Sequence, residues 1–158
     1  MANPYLVRVQ QKLAHCSYLL NLAIKVPADE PQAQRALLES SVVALAVAVR
    51  LYLRELAHLL GERDPERIYT LADFTSQNLN NGLLQELAQS DWLSRVLRME
   101  SRLLNPQLAG SALPGLIAVS ETSSITDTYD EPSVELVGRW LSCLREQAER
   151  QRASQLEY

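Results

Sequence analysis

The chain has 158 residues, 47% of them hydrophobic and 22% charged, and carries a net charge of −4 at pH 7. This length predicts one domain, residues 1–158, that buries enough surface to fold without disulfides or metals. The two cysteines show no framework spacing, and the N-terminus lacks the layout of a signal peptide, so we expect a cytoplasmic protein with reduced thiols. The charge disfavours nucleic acid as a partner. The longest apolar run, residues 42–49, is far shorter than the about 20 residues that a membrane span needs, which argues against a membrane protein.

The first predicted helix begins at Pro4, with Asn3 as its N-cap, and ends before Pro27. Its apolar residues recur at alternating steps of three and four residues, a heptad-like seam that is typical of helical bundles. The seam consists of Leu6, Val9, Leu13, Cys16, Leu20 and Ala23. We expect this seam to be filled within the chain, with a homodimer as the open alternative.

A second, longer helix is predicted from Pro31 to Leu60, where Gly61 supplies the stop. Its residues 42–49 are apolar on every face of the helix. A helix that is apolar all round is normally buried, so this half of the helix is predicted to form the centre of the domain.

Three further helices are predicted after Gly61. A short one covers residues 64–72, and a longer one runs from Leu83 to Leu104 with a possible bend at Ser90-Asp91. The last helix begins at Glu131 or Pro132 and gives way to a polar tail at residues 149–158. The sequence therefore predicts an all-α fold, a helical bundle of four longer helices and one short helix.

Residues 105–131 separate the last two helices. Loops of this length are uncommon in compact domains and are usually functional or disordered. Several large apolar residues in its middle require burial, so we expect an ordered crossover loop laid over one side of the bundle. These residues are Leu113, Leu116, Ile117, Val119 and Ile125.

An arginine face is predicted on the helix that ends at Leu104. Its members fall within roughly 60° of one another on the helix surface, and such a face can bind phosphates or carboxylates. They are Arg95, Arg98 and Arg102. The end of the loop is acidic, with Asp127, Asp130 and Glu131. We hypothesise that this acidic end folds onto the arginine face as a detachable cover, because exposed ion pairs contribute at most about 1 kcal/mol each. An ordinary solvated helix face is the alternative interpretation.

Arg8 and His15 are the candidates for an enzymatic alternative. Nucleases of the HEPN superfamily are helical bundles in which a histidine follows an arginine after four to six residues, and six residues separate this pair. Histidine suits acid–base chemistry near neutral pH, and arginine suits a phosphate. The resemblance is incomplete, because the superfamily carries its motif on a late helix and has a polar residue where Val9 stands. It implies an RNA-processing or toxin-type nuclease.

No metal or cofactor site is predicted. Glu55 and His58 form a Glu-x-x-His step of the kind found in di-iron bundles. The second step is missing, because Lys12 occupies the matching position before His15 and would repel a metal ion. A small apolar ligand in the bundle centre is a further alternative, but we see no convergent polar group to orient one.

Residues 1–23, MANPYLVRVQQKLxxCxYLLxLA, and residues 80–100, NNGLLQELAxSxWLxRVLRxE, carry a family resemblance. They are similar to a family of small helical proteins of unknown function from pseudomonads and related gammaproteobacteria. The resemblance implies a bacterial, cytoplasmic, helical protein and transfers no active-site residue. From the residues themselves we predict a non-enzymatic interaction or regulatory module whose partner is another protein.

Overall fold

A computed structural model describes residues 2–105 and 131–156, and all regular secondary structure in those two ranges is helical. The five α-helices are α1 (Pro4–Lys25), α2 (Pro31–Leu59), α3 (Gly82–Gln89), α4 (Asp91–Leu104) and α5 (Val134–Leu156). Three single 3₁₀ turns between α2 and α3 are Pro65–Arg67, Leu71–Asp73 and Asn78–Asn80. The prediction of an all-α fold is confirmed. Most of the predicted crossover loop, residues 106–130, lies outside the described residues.

The start and the seam of α1 are as predicted. The Asn3 side chain accepts a hydrogen bond from the backbone N–H of Tyr5 at 3.1 Å, and Pro4 occupies the first helical position. Five of the six seam residues are buried, namely Val9, Leu13, Cys16, Leu20 and Ala23. Because α1 packs mainly along α2 and also touches α5, the seam is filled by helices of the same chain.

The central helix is α2, which packs against α1, α4 and α5. It ends as predicted: Gly61 adopts a positive φ of 80°, and the backbone N–H of Glu62 donates to the carbonyl of Ala57 at 2.9 Å. The apolar run is buried only on the sides that neighbouring helices cover, because Val43 is 45% exposed. The prediction that this run is buried on every face is therefore wrong for the side that carries Val43.

Among the described residues, α2 is also the one helix long and apolar enough to cross a membrane, with a mean hydropathy of 1.8 over its most apolar window. Of that window, 56% is buried against the rest of the protein. The core helix of a globular protein has the same length and composition, so these properties do not by themselves indicate a membrane span.

The short helix predicted at residues 64–72 is replaced by two separate 3₁₀ turns. A new turn starts at Thr70, where the Asp73 carboxylate accepts the Thr70 backbone N–H at 2.8 Å and closes a capping box. The backbone is extended at Ile68, whose carbonyl accepts a 3.1 Å hydrogen bond from Nε of Arg54 on α2. These local side-chain bonds compete with a continuous helix.

The predicted helix from Leu83 to Leu104 is divided at Ser90, where the sequence suggested a bend. Ser90 has extended backbone angles, and its hydroxyl donates to the carbonyl of Leu87 at 2.6 Å. The same carbonyl also accepts the Ser90 backbone N–H at 3.1 Å, and these bonds close the end of α3. The next helix, α4, begins at Asp91.

The last helix is longer than expected. The sequence analysis assigned residues 149–158 to a polar tail, whereas α5 continues to Leu156. Gln151 is buried, and Arg152 forms an ion pair with Glu55 of α2. The ion pair with Glu55 anchors the final turns of the helix, which composition alone would leave in solvent.

Candidate functional site

The arginine face lies on α4. Nη1 of Arg95 is 3.3 Å from a carboxylate oxygen of Asp91, one turn earlier, and its guanidinium lies 5.9 Å from the ring centroid of Trp140 on α5. Arg98 is exposed and Arg102 is half-buried. Arg95 therefore also fastens α4 to α5, and it contributes to the face from a fixed position.

A charged contact fixes the other side of α4. Nη1 of Arg50 on α2 donates to both carboxylate oxygens of Glu100, at 2.6 and 2.8 Å. The two side chains are 24% and 14% exposed, so the contact is largely shielded from water. At about 100° per residue, Glu100 lies roughly opposite the middle of the arginine face. The helix that carries the arginine face is therefore fixed to α2 on its opposite side by a charge-assisted ion pair.

Only one of the acidic candidates belongs to the described part of the chain. Asp127 and Asp130 lie outside the described residues. Glu131 is exposed and borders a small depression at the first turns of α2, with a volume of about 180 Å³. The other residues that line this depression are Pro31, Gln34, Arg35, Leu38 and Pro132.

The nuclease candidates Arg8 and His15 are both exposed on α1. Nη1 of Arg8 donates to the Gln11 side chain at 2.9 Å. A separation of seven residues places the two Cα atoms about 10 Å apart along the helix. The structure groups His15 with Lys12 rather than with Arg8, because these two residues line the same groove.

This groove runs between the outer faces of α1 and α2 and has a volume of about 370 Å³. Its lining is formed by Lys12, His15, Tyr18 and Leu19 from α1 and by Ser40, Val43, Ala44 and Val47 from α2. The groove was not predicted, because the composition of the apolar run of α2 favours burial of the whole run. The available signal was the pair Val43 and Val47, one turn apart, with Ser40 one turn before them.

Glu55 and His58, the rejected metal step, have separate environments. Nε and Nη2 of Arg152 each donate to one carboxylate oxygen of Glu55 at 3.0 Å, and the Glu55 side chain is only 2% exposed. His58 is exposed, and its ring meets the edge of the Tyr5 ring with the centroids 6.4 Å apart. In residues 2–105 and 131–156, no group of three histidine, cysteine or acidic residues is placed to hold a metal ion.

A buried polar cluster surrounds this ion pair between α2 and α5. Its other members are Tyr52, Gln147 and Gln151. Within the described structure, the Tyr52 hydroxyl and the side-chain amide of Gln151 have no hydrogen-bond partner. Burial raises the pKa of Tyr52 well above its usual value, and the nearby negative charge of Glu55 raises it further. The Gln147 side chain lowers this pKa, but by less than burial and Glu55 raise it.

The chain matches no protein-family model, no curated protein and no solved structure. The similarity of residues 1–23 and 80–100 to a gammaproteobacterial family therefore stays a prediction. The candidate sites of a function are the two surfaces described above, the arginine face of α4 and the groove between α1 and α2.

Proposed function

We propose that this protein is a non-enzymatic interaction module of the cytoplasm, which binds an acidic segment of another protein through the arginine face. In this proposal the five helices form a bundle, with residues 105–131 as the crossover loop. The observation that supports it is the position of Arg95, Arg98 and Arg102 along one side of α4. That helix is held to α2 through Arg50 and Glu100.

The guanidinium groups of the arginine face determine which kind of partner it can bind. Guanidinium groups bind carboxylates through paired, parallel N–H···O bonds, which gives both strength and orientation. Three of them at successive turns fit acidic side chains spaced along a helix or an extended segment. The whole chain carries a net charge of −4, so this basic face is local and offers no general attraction for nucleic acid.

The test compares two double variants of the tagged protein. Arg98→Ser/Arg102→Ser removes two charges from the face and leaves Arg95 in contact with Trp140. Arg63→Ser/Arg139→Ser removes the same charge from exposed positions elsewhere on the chain. A protein partner captured from a lysate of the source organism after ribonuclease treatment should be retained by the control and lost by the first variant. Equal capture by both variants contradicts the proposal.

The acidic cover over the arginine face remains part of the proposal as a prediction. Glu131 borders the first turns of α2, and the other two acidic members of the cover, Asp127 and Asp130, lie outside the described residues. Charge reversal of Asp127, Asp130 and Glu131 should speed amide exchange across the loop. Unchanged exchange contradicts a cover.

A HEPN-like nuclease is the second candidate, and the exposure of both Arg8 and His15 keeps it open. The measurement is cleavage of a structured RNA by the purified protein. Under this alternative His15→Ala abolishes cleavage, whereas Arg98→Ser/Arg102→Ser does not. Cleavage that is absent in the wild type, or retained by His15→Ala, rules it out.

A further inference from the structure

The groove between α1 and α2 has two different ends. The two helices are joined only by residues 26–30, and they pack along each other, so they run antiparallel. Lys12 therefore lies at the end of the groove where Val47 lines the opposite wall, and Leu19 lies at the end that carries Ser40. His15 stands between these ends, on the same wall as Lys12.

Most of the groove surface is apolar and open to water. Val43 is 45% exposed and Tyr18 is 65% exposed, values that are high for large apolar or aromatic side chains of packed helices. Leu19, Ala44 and Val47 complete the apolar lining of the groove. Covering this lining is favourable, because it removes apolar surface from water.

The ionisable groups that line the groove and can be charged near neutral pH are all basic. Lys12 is its one residue with a permanent charge, His15 can only add to the positive charge, and none of the eight lining residues is acidic. Arg8 precedes Lys12 by one turn of α1 and also bears a positive charge. A ligand that fits this surface has a negative group at the Lys12 end and an apolar body.

The size of the groove fits a small ligand. A volume of about 370 Å³ lies near the lower limit of small-molecule sites, which span roughly 300–1,000 Å³ and are apolar with a few polar groups. We infer that the groove binds a small anionic amphiphile, a carboxylate on a linear apolar chain of medium length. The carboxylate pairs with Lys12, and the chain lies along Val47, Val43 and Tyr18 towards Leu19.

The probe is decanoate, below its micellar concentration, with decanol as the neutral ligand of the same tail. Binding to the purified full-length chain is followed by NMR shifts of the residues that line the groove. We expect saturable shifts at Tyr18, Val43 and Lys12. Lys12→Met should lower the affinity for decanoate about fivefold, the equivalent of ~1 kcal/mol for a partly exposed ion pair. It should leave the affinity for decanol unchanged.

Matched variants separate this site from general effects of charge or apolar surface. Lys25→Met removes the same charge at the other end of α1, and Val7→Glu places an acid at an exposed apolar position outside the groove. Both should bind decanoate as the wild type does. Val43→Glu, at a position already open to solvent, should lower the affinity for both decanoate and decanol.

Three results overturn the inference. The first is the absence of saturable shifts in the groove, and the second is equal binding by Lys12→Met and Lys25→Met. The third is a dimer in solution that Val43→Glu dissociates, together with no binding of decanoate. In that case the groove is an interface between two copies of the chain. Arg98→Ser/Arg102→Ser should bind decanoate normally, so the outcome is independent of the proposed interaction function.

Discussion

Glu55 and Arg152 lie 97 residues apart in the chain, and their side chains are joined by two 3.0 Å hydrogen bonds. The backbone carbonyl of Glu55 also accepts a 3.0 Å hydrogen bond from Nδ2 of Asn3, the N-cap of α1. The start of α1 and the final turns of α2 and α5 therefore meet at one residue. The Glu55 side chain is 2% exposed and that of Arg152 is 19% exposed, so water screens this pair weakly.

Breaking this ion pair from one side should destabilise the fold strongly. Glu55→Ala leaves a largely buried guanidinium without its carboxylate, a change that typically costs about 3 kcal/mol or more. Replacing both partners, in Glu55→Leu/Arg152→Met, should restore much of the loss, because the remaining groups no longer require a charged partner. The measurement is urea unfolding followed by circular dichroism.

An exposed ion pair provides the control for that experiment. Arg67 and Asp64 are 3.8 Å apart, with side chains 81% and 52% exposed. Arg67→Ala should change the free energy of unfolding by about 0.5 kcal/mol or less. Similar losses for Arg67→Ala and Glu55→Ala would show that burial does not strengthen the Glu55–Arg152 pair.

Removal of the chain after Ala148 should be more damaging than its composition suggests. The deleted segment includes Arg152, whose ion pair with Glu55 holds the end of α5 to α2, and the buried Gln151. We expect a lower urea midpoint than for Arg152→Ala alone. A chain that ends at Leu156 is the control and should unfold like the wild type. An unchanged midpoint for the shorter chain would support the polar tail predicted from the sequence.

These contacts show which parts of the structure the sequence could predict. Asn3 begins α1 and Gly61 ends α2 through bonds to residues within a few positions, so local signals were sufficient. Glu55 and Arg152 have no such signal, because their pairing depends on how α2 and α5 pack.

The groove between α1 and α2 escaped prediction for a related reason. The apolar periodicity of α2 shows which residues favour burial, but it does not show which faces a neighbouring helix covers. The described helices leave Val43 exposed. The arginine face needed only helical spacing, and so it could be predicted, whereas the contact of Arg95 with Trp140 on α5 could not.

Tyr52→Phe should stabilise the protein. Tyr52 is fully buried, and its hydroxyl has no hydrogen-bond partner in the described structure, so folding removes that group from water without replacing its bonds. Mutational data place this cost at about 1–3 kcal/mol, and we expect a gain of about 1 kcal/mol at neutral pH. Tyr18→Phe, at an exposed position, should have no such effect. A loss of stability in Tyr52→Phe would contradict this prediction and would show that the hydroxyl has a hydrogen-bond partner, either the neighbouring Gln147 side chain or water.

Cys16 should make the stability of the protein decrease at alkaline pH. Burial raises the pKa of its thiol from 9.0 to about 12, and Arg145 offsets this only in part. Below about pH 9 both the folded and the unfolded state hold the proton, so this thiol contributes no pH dependence. Between the two pKa values the unfolded state loses the proton while the folded state keeps it, and the free energy of unfolding falls by up to ~1.4 kcal/mol per pH unit.

The pH prediction is checked by urea unfolding of the wild type and Cys16→Ala between about pH 8 and pH 10. Cys16→Ala is less stable at every pH because it leaves a small cavity, but its stability should fall less steeply above pH 9. The half-buried Cys143 has a pKa that is also raised, through burial and Glu146, and Cys143→Ala therefore measures its share of the slope.

In the native protein a thiol reagent should modify Cys143 well before the fully buried Cys16. Equal rates for the two thiols, or equal slopes for wild type and Cys16→Ala, would contradict the burial of Cys16 in the α1 seam.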